Sequence, residues 1–387
     1  MKILMVNDYK YEIGGTETYM FNLINELKSK GHEVLLFSSN VTSKEYFSQN
    51  YNKSLIKYLS RIFNIKYLLK FKKILREFQP DIVHIHNIYN EITPAILFNL
   101  RHTIVIMTVH GSQMISPVSL QTERTGRKCK NEVCEGCLNC IGVKGVLYET
   151  CKRNVYRKLL KNISLYITPS EYLKSVLEER QYLPVRRIYN GINLLKYSKI
   201  RYTKNLLFIG RLTKEKGVEI LLHAMNYLVE KFPEIHLSIV GEGNYSDHVR
   251  EVIKNLHLEK NITLVGSVSS RQVQSYYDKS LLILIPSIYP DNLPTVGLEA
   301  LSVGRPIIGS NIGGISEIIK NNQTGVLVEA GNMNQIVGAI EKLVENKQVV
   351  ETMSMNARLY AEKYFDIRKH ITQLEKLYSQ LIKNTYL

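Results

Sequence analysis

The chain has 387 residues, 44% hydrophobic and 22% charged, a composition that excludes disordered and fibrous proteins. Its length exceeds what one compact core usually supports and predicts two domains. The net charge of +16 is lopsided: residues 1–190 hold 28 basic and 16 acidic side chains (+12), the remainder 23 and 19 (+4).

The first residues, "MKILMVND", hold four consecutive apolar positions before Asn7 and Asp8. They read as a buried strand and not as a secretion signal. No run approaches the roughly 18 apolar residues that a membrane-spanning helix needs. A cytoplasmic protein is expected, with its five cysteines reduced. Gly14 and Gly15 then open an amphipathic segment that stops at Gly31. Glycines there let the backbone approach a phosphate at a helix N-terminus, although a glycine pair before a helix is also an ordinary turn.

Eight basic residues and no acid lie from Lys53 to Arg76, in "KSLIKYLSRIFNIKYLLKFKKILR". Leu55, Leu59, Ile62, Phe63 and Leu69 recur at spacings compatible with one helical face. Two readings stand: a solvated helix pair, or a surface that docks on anionic lipid at about 1 kcal/mol per basic residue. The second would place the protein peripherally at the inner membrane face. Nucleic acid is not an expected partner, since no zinc-finger spacing, aromatic signature or recognition helix accompanies the charge.

Short β-branched runs alternate with amphipathic stretches: "KILMV", "EVLLFSS", "DIVHIHN", "TIVIMTVH" and "SLYITPS", then "NLLFIGRL", "IHLSIVGEG", "ITLVGS", "LLILIPS", "RPIIGS" and "GVLVE". Such runs imply parallel sheets buried on both faces. The aperiodic stretch 183–204 separates the two series. The fold class expected is α/β, with two Rossmann-like doubly wound parallel-sheet domains at 1–196 and 197–365. Residues 366–387 are expected as a helix packing back on the first domain.

Ligands of open parallel sheets bind beyond the carboxyl ends of the strands, so the residues after each run matter most. "TVHG" places His110 after the fourth run. "CKNEVCEGCLNC" gathers Cys129, Cys134, Cys137 and Cys140 within twelve residues, in an insertion near 129–151 that ends at Cys151. Four thiols so spaced in a reducing compartment suit a structural zinc; unliganded thiols and an iron–sulfur cluster are the alternatives. "GRLTKEKG" sets Arg211 and Lys216 on one loop, a fork and a point charge suited to a diphosphate. By itself that loop reads more readily as an exposed ion-pair loop. "PSIYPDNLPTVGLEALSVGRPI" isolates two acids, Asp291 and Glu299, eight positions apart in apolar surroundings. Such acids need partners or they cost stability.

"FIGRLTKEKG", "IVGEG" and "PSIYPDNLPTVGLEALSVGRPIIGSNIGGISEII", with "GGTETYMFNLINELKSKGHEV" at the front, resemble the retaining glycosyltransferases of family 4 over nearly the whole chain. The resemblance implies the GT-B architecture, two Rossmann-like domains facing a cleft, with a sugar nucleotide held mostly by the second. It gives Glu299 the ribose hydroxyls and Asp291 the donor-sugar hydroxyls, at a position where the family usually has Glu. Pro294 replaces a common Gly, while Thr295 and Val296 keep N–H groups at a helix start for the departing phosphate. His110 would hydrogen-bond the donor sugar. Gly14, Gly15, Arg211 and Lys216 would complete the donor site.

On this reading Arg211 and Lys216 oppose the charge of the leaving diphosphate, so catalysis needs no metal cofactor. The expected function is transfer of a sugar from a nucleoside-diphosphate sugar to a saccharide or lipid-linked acceptor, in surface polysaccharide or glycolipid synthesis. A non-catalytic sugar-nucleotide binder and a sugar-nucleotide epimerase of the same architecture are the alternatives.

Overall fold

The computed structural model describes residues 1–11, 14–39, 60–98, 100, 103–111 and 138–385, without the side chains of 138–141, 270 and 385. The chain divides into two compact units, Met1–Ile188 with His370–Leu387, and Tyr189–Lys369.

Among the described residues the first unit holds six strands: β1 (Lys2–Asn7), β2 (Glu33–Ser38), β3 (Ile82–Asn87), β4 (Val105–Thr108), β5 (Leu165–Thr168) and β6 (Val185–Arg187). They form one parallel sheet in the order β2-β1-β3-β4-β5-β6. The second unit holds β7 (Asn205–Ile209), β8 (His236–Val240), β9 (Ile262–Gly266), β10 (Leu282–Ile285), β11 (Ile307–Ser310) and β12 (Gly325–Val328). Its parallel order is β12-β11-β10-β7-β8-β9. Helices link successive strands, so both are doubly wound α/β sheets as the alternating runs predict. The order reverses between β1 and β3 in one unit and between β7 and β10 in the other, and each reversal opens a crevice at the carboxyl ends of those strands.

β6 had no apolar run to announce it. It is a three-residue edge strand, Val-Arg-Arg, inside the stretch 183–204 that reads as aperiodic. An edge strand has one paired side and tolerates charge.

The strands owe their position to burial on both faces. Ile3, Leu4, Met5 and Val6 of β1 are fully buried, as are Leu282 and Ile283 of β10. Side chains start the covering helices: Asn64 accepts from Tyr67 N, Ser170 from Leu173 N, Asn332 from Gln335 N and Asn346 from Val349 N. Each satisfies an N–H that a helix start otherwise leaves unpaired.

Residues 370–384 complete the first unit's core. In helix Ile367–Thr385, Ile371, Leu374, Leu377 and Tyr378 are buried. Tyr378 Oη lies 2.6 Å from Nδ1 of His84 on β3, and Glu375 meets both Lys30 (2.5 Å) and His32 (2.8 Å).

Asp8, at the carboxyl end of β1, organises the first unit's reversal point. Its Oδ2 accepts from Tyr89 N and Asn90 N, both at 2.9 Å, and its Oδ1 from Glu91 N at 3.1 Å and Ile92 N at 2.7 Å. Four consecutive N–H groups after β3 thus find one buried carboxylate. Burial pushes this carboxyl up to about 7, and the four donors oppose that rise.

Asp8→Asn replaces one acceptor oxygen by an NH2 group facing two N–H donors. Leaving two donors unpaired costs about 1–3 kcal/mol each, and removal of a charge that burial disfavours offsets part of it, so a net destabilisation of about 1–3 kcal/mol is predicted. Urea unfolding at neutral pH measures it, and a change below about 1 kcal/mol would show that the loop does not depend on the carboxylate.

Candidate functional site

The second unit's candidates meet at the reversal between β7 and β10. The loop after β7 carries Arg211 and Lys216 and ends at Gly217, whose φ of +70° starts helix Val218–Lys231. A Cβ at Gly217 would lie 2.1 Å from Pro286 O, so a side chain there would drive the β7 loop off the end of β10. Ile288 N donates to Glu215 O at 2.9 Å and ties the same two loops.

Held this close, Lys216 Nζ sits 2.5 Å from Asp291 Oδ1 across 75 residues of sequence. Ser287 Oγ donates to the other oxygen, Oδ2, at 2.8 Å. The aspartate therefore has a cation and a hydroxyl as partners before any ligand arrives. Arg211 is exposed, and no hydrogen bond or ion pair engages its guanidinium among the described residues.

Helix Thr295–Val303 follows the Asp291 loop with Pro294 as its N-cap and no side-chain cap. The N–H groups of Thr295 and Val296 belong to its first turn, where a helix lacks internal acceptors and carries positive potential. Glu299, one turn on, is half-buried. Its Oε2 accepts from Tyr277 Oη at 2.9 Å, and burial raises its carboxyl above the usual range while that bond opposes the rise. The sequence reading missed Tyr277. Its signal was present in "SYYDK": a tyrosine on the buried side of an amphipathic helix needs a partner for its hydroxyl.

His110, Gly14 and Gly15 belong to the first unit. Gly14 is the N-cap of helix Gly15–Ser29 in extended conformation, and Gly15 opens the helix. Glu17 in the first turn is buried; burial raises its carboxyl, and the N–H groups of Glu17 and Gly14 and the Asn7 side chain oppose the rise. This helix start thus already faces a carboxyl of its own, the Glu17 side chain.

His110 lies two residues past β4 in a cluster of rings. Its Nε2 is 3.0 Å from Nδ1 of His86, with the two rings stacked at 5.3 Å. His84, two residues before His86 on β3, contacts Thr108 Oγ1 at 2.7 Å through Nε2. Tyr19 Oη meets His370 Nε2 at 2.7 Å and stands edge-on to His110. Burial holds His84 and His110 down to about 3 and His86 well below its usual value, so all three stay neutral. The "HIH" run carried the signal for His84 and His86, since positions two apart on a strand share a face.

Cys129, Cys134 and Cys137 lie outside the described residues, as does the Cys140 side chain; Cys151 is exposed. Of the basic stretch, Lys53 and Lys57 are likewise outside. Residues 65–78 form a helix that buries Tyr67, Leu68 and Phe71 and exposes Ile65 (61%) and Leu69 (62%) beside Lys66 and Lys70. Among the described residues no helix is long and apolar enough to cross a membrane.

The pattern of the family described as "Glycosyl transferases group 1" matches residues 197–360, and that of "Glycosyltransferase Family 4" matches residues 13–195. An uncharacterized glycosyltransferase of Methanocaldococcus jannaschii is 25% identical over 391 residues, covering 98% of this chain and 99% of its own. The Escherichia coli UDP-Gal:alpha-D-GlcNAc-diphosphoundecaprenol alpha-1,3-galactosyltransferase is 26% identical over 349 residues, 86% of this chain and 83% of that one. The structure of sucrose-phosphate synthase from Thermosynechococcus elongatus shares the fold, with a TM-score of 0.77 at 19% identity over 99% of both chains.

The neutral histidines make stability depend on pH. The unfolded chain protonates them below about 6.5 while the folded state resists down to about 3, so stability is lost as pH falls through that window. Each ring contributes a slope of about 1.4 kcal/mol per pH unit. Urea titrations at pH 7 and pH 5 measure the loss, and His86→Gln is expected to make it shallower by one ring's share. Asp8, held up to about 7, gains stability over the same range, so the test is the comparison of the two proteins: equal losses in wild type and in His86→Gln would contradict burial of a neutral ring there.

Proposed function

The chain belongs to the group 1 glycosyl transferases of glycosyltransferase family 4, and from that premise we propose a retaining transfer. A sugar moves from a nucleoside-diphosphate donor to a saccharide or lipid-linked acceptor, in surface polysaccharide or glycolipid synthesis. The observation that carries this reading is the Lys216–Asp291 pair at the β7–β10 reversal, with the uncapped start of helix Thr295–Val303 directly after it. Two cations, helix N–H groups and two acids gather where an open parallel sheet binds its ligand.

On this reading the donor diphosphate draws Lys216 from Asp291, and Arg211 adds its fork. Asp291, still bonded to Ser287, is then released to the donor-sugar hydroxyls. Glu299 takes the ribose, and neutral His110 hydrogen-bonds the sugar. The bond from the anomeric carbon to the diphosphate breaks through an oxocarbenium-like transition state. The acceptor oxygen bonds to the same face of that carbon, and its proton passes to the leaving phosphate. Lys216, Arg211 and the N–H groups of Thr295 and Val296 oppose the charge that grows on the phosphate. The relative named for UDP-Gal and a diphosphoundecaprenol acceptor supports both the donor class and the lipid-linked option.

The exposed Ile65 and Leu69 with their neighbouring lysines support membrane docking. Both apolar side chains lie one turn apart on the same outward face, and Lys72 Nζ lies 5.6 Å from the ring of the partly exposed Phe98. Apolar tips ringed by cations suit an anionic bilayer surface.

Lys216→Ala and Arg211→Ala are expected to lower kcat about 10²-fold each, with smaller effects on donor binding, while EDTA leaves the wild-type rate unchanged. Turnover of the donor that gives the largest thermal shift among UDP-, GDP- and ADP-sugars supplies the assay. Losses confined to KM would make the two cations binding anchors only.

Wild type is expected to co-sediment with anionic vesicles at low salt and to be released at high salt. The combined Lys66→Glu, Lys70→Glu, Lys72→Glu, Lys73→Glu variant is expected to remain in the supernatant. Equal behaviour of the two proteins would reduce the face to a solvated surface.

A further inference from the structure

We propose that Tyr277 is a positioning residue for Glu299 and thereby makes the second unit selective for a ribonucleotide over its 2′-deoxy counterpart. The inference rests on the reading that Glu299 holds the ribose.

Tyr277 lies on helix Ser270–Lys279 and is fully buried, with its hydroxyl 2.9 Å from Glu299 Oε2 and 3.1 Å from Val296 O. A phenol has one proton to give. The carboxylate takes it, because a bond to an ionised acceptor is the stronger of the two. Among the described residues none donates to the other oxygen, Oε1. One oxygen of Glu299 is therefore anchored inward, and the other is left for a ligand.

The anchor is itself fixed from the backbone. Arg305 has no exposed surface, and its Nε donates to Tyr277 O at 2.8 Å. Nη2 reaches Asp278 O at 3.3 Å, while Nη1 reaches Gly304 O at 3.3 Å and Val303 O at 3.4 Å. A single guanidinium thus spans the carboxyl ends of the two helices that carry Tyr277 and Glu299. Neither helix slides without breaking these bonds, so the phenol and the carboxylate keep their separation.

A glutamate has three side-chain torsions to immobilise before it grips a diol, and each flexible group ordered on binding opposes affinity. With Oε2 anchored, Oε1 stands ready for the vicinal hydroxyls of a ribose. A 2′-deoxyribose offers one hydroxyl fewer to an acceptor already desolvated, and that mismatch is the source of the selectivity. The same bond favours the ionised carboxylate against burial.

Tyr277→Phe deletes the hydroxyl and keeps the ring that fills the core. Calorimetry uses the full chain with whichever of UDP, GDP and ADP binds the wild type, and with the 2′-deoxy form of the same diphosphate. Tyr277→Phe is expected to weaken the ribonucleotide about three- to tenfold, the share of one hydrogen bond. The 2′-deoxy affinity is expected to stay within about twofold. The acid limb of ribonucleotide binding is also expected to start at higher pH, because Glu299 loses a donor to its ionised form. Equal weakening of both nucleotides, or no change in either, overturns the proposal. Glu299→Gln, run beside it, separates the two layers. If that variant keeps the full ribose preference, the ribose reading of Glu299 fails and the proposal with it. If it abolishes the preference while Tyr277→Phe does not alter it, only the role of Tyr277 fails.

Discussion

No side chain fits at residue 217. The 2.1 Å between a built Cβ and Pro286 O forces the β7 loop to run backbone against backbone along the end of β10. A similar constraint recurs at Gly314, where a Cβ would stand 1.6 Å from Asn292 O, and Gly314 N donates to Asp291 O at 2.6 Å. The Asp291 loop is thus pressed from two sides by glycine backbone. This bare contact is what brings Lys216 within reach of Asp291. Substituting either glycine would move charges whose usefulness depends on separations of a few ångströms.

The two acids that stood out in an apolar stretch are quieted by different chemistry. Asp291 has a cation and a serine, a pair partly open to water that a more highly charged ligand can displace. Glu299 has a phenol in a buried wall, a partner that no anion competes for. One acid is suited to exchange and the other to permanence. In the first unit, Asp8 spends its charge on four backbone N–H groups and Glu17 on a helix start. The histidines nearby are kept uncharged by burial. Carboxylates of similar composition therefore differ by their partners, not by their position in the sequence.

That division explains which parts were legible in the chain alone. Continuous apolar runs such as "KILMV" and "LLILIPS" declare strands because burial on both faces leaves no room for polar alternation. Asp291 and Glu299 stood out because acids are scarce in an apolar stretch, whereas Arg211 and Lys216 lie in a charged loop and were singled out by its place after β7 and by the family resemblance. Tyr277 and His84 left only partial signals in "SYYDK" and "HIH", and His370 and Tyr378 left none, since a buried polar side chain is recognised by its partner. Those partners lie from 22 residues away (Tyr277 and Glu299) to 351 residues away (Tyr19 and His370). β6 was hidden by its two arginines. Gly14 and Gly15 were read from a pattern that turns and phosphate sites share, and only the geometry shows Glu17 folded onto that helix start.

The first unit is discontinuous in sequence, since His84 on β3 and Tyr19 find their partners in residues 370–387. During synthesis the amino-terminal segment therefore emerges without the helix that finishes its core, with buried polar rings still lacking acceptors. The intervening residues 189–369 are contiguous and form a unit of their own. At translation speeds of about 5–20 residues per second, roughly 10–40 s separate the two halves of the first core on the ribosome. Maturation of the nascent chain thus favours the contiguous unit, and the amino-terminal unit closes only when helix Ile367–Thr385 has emerged.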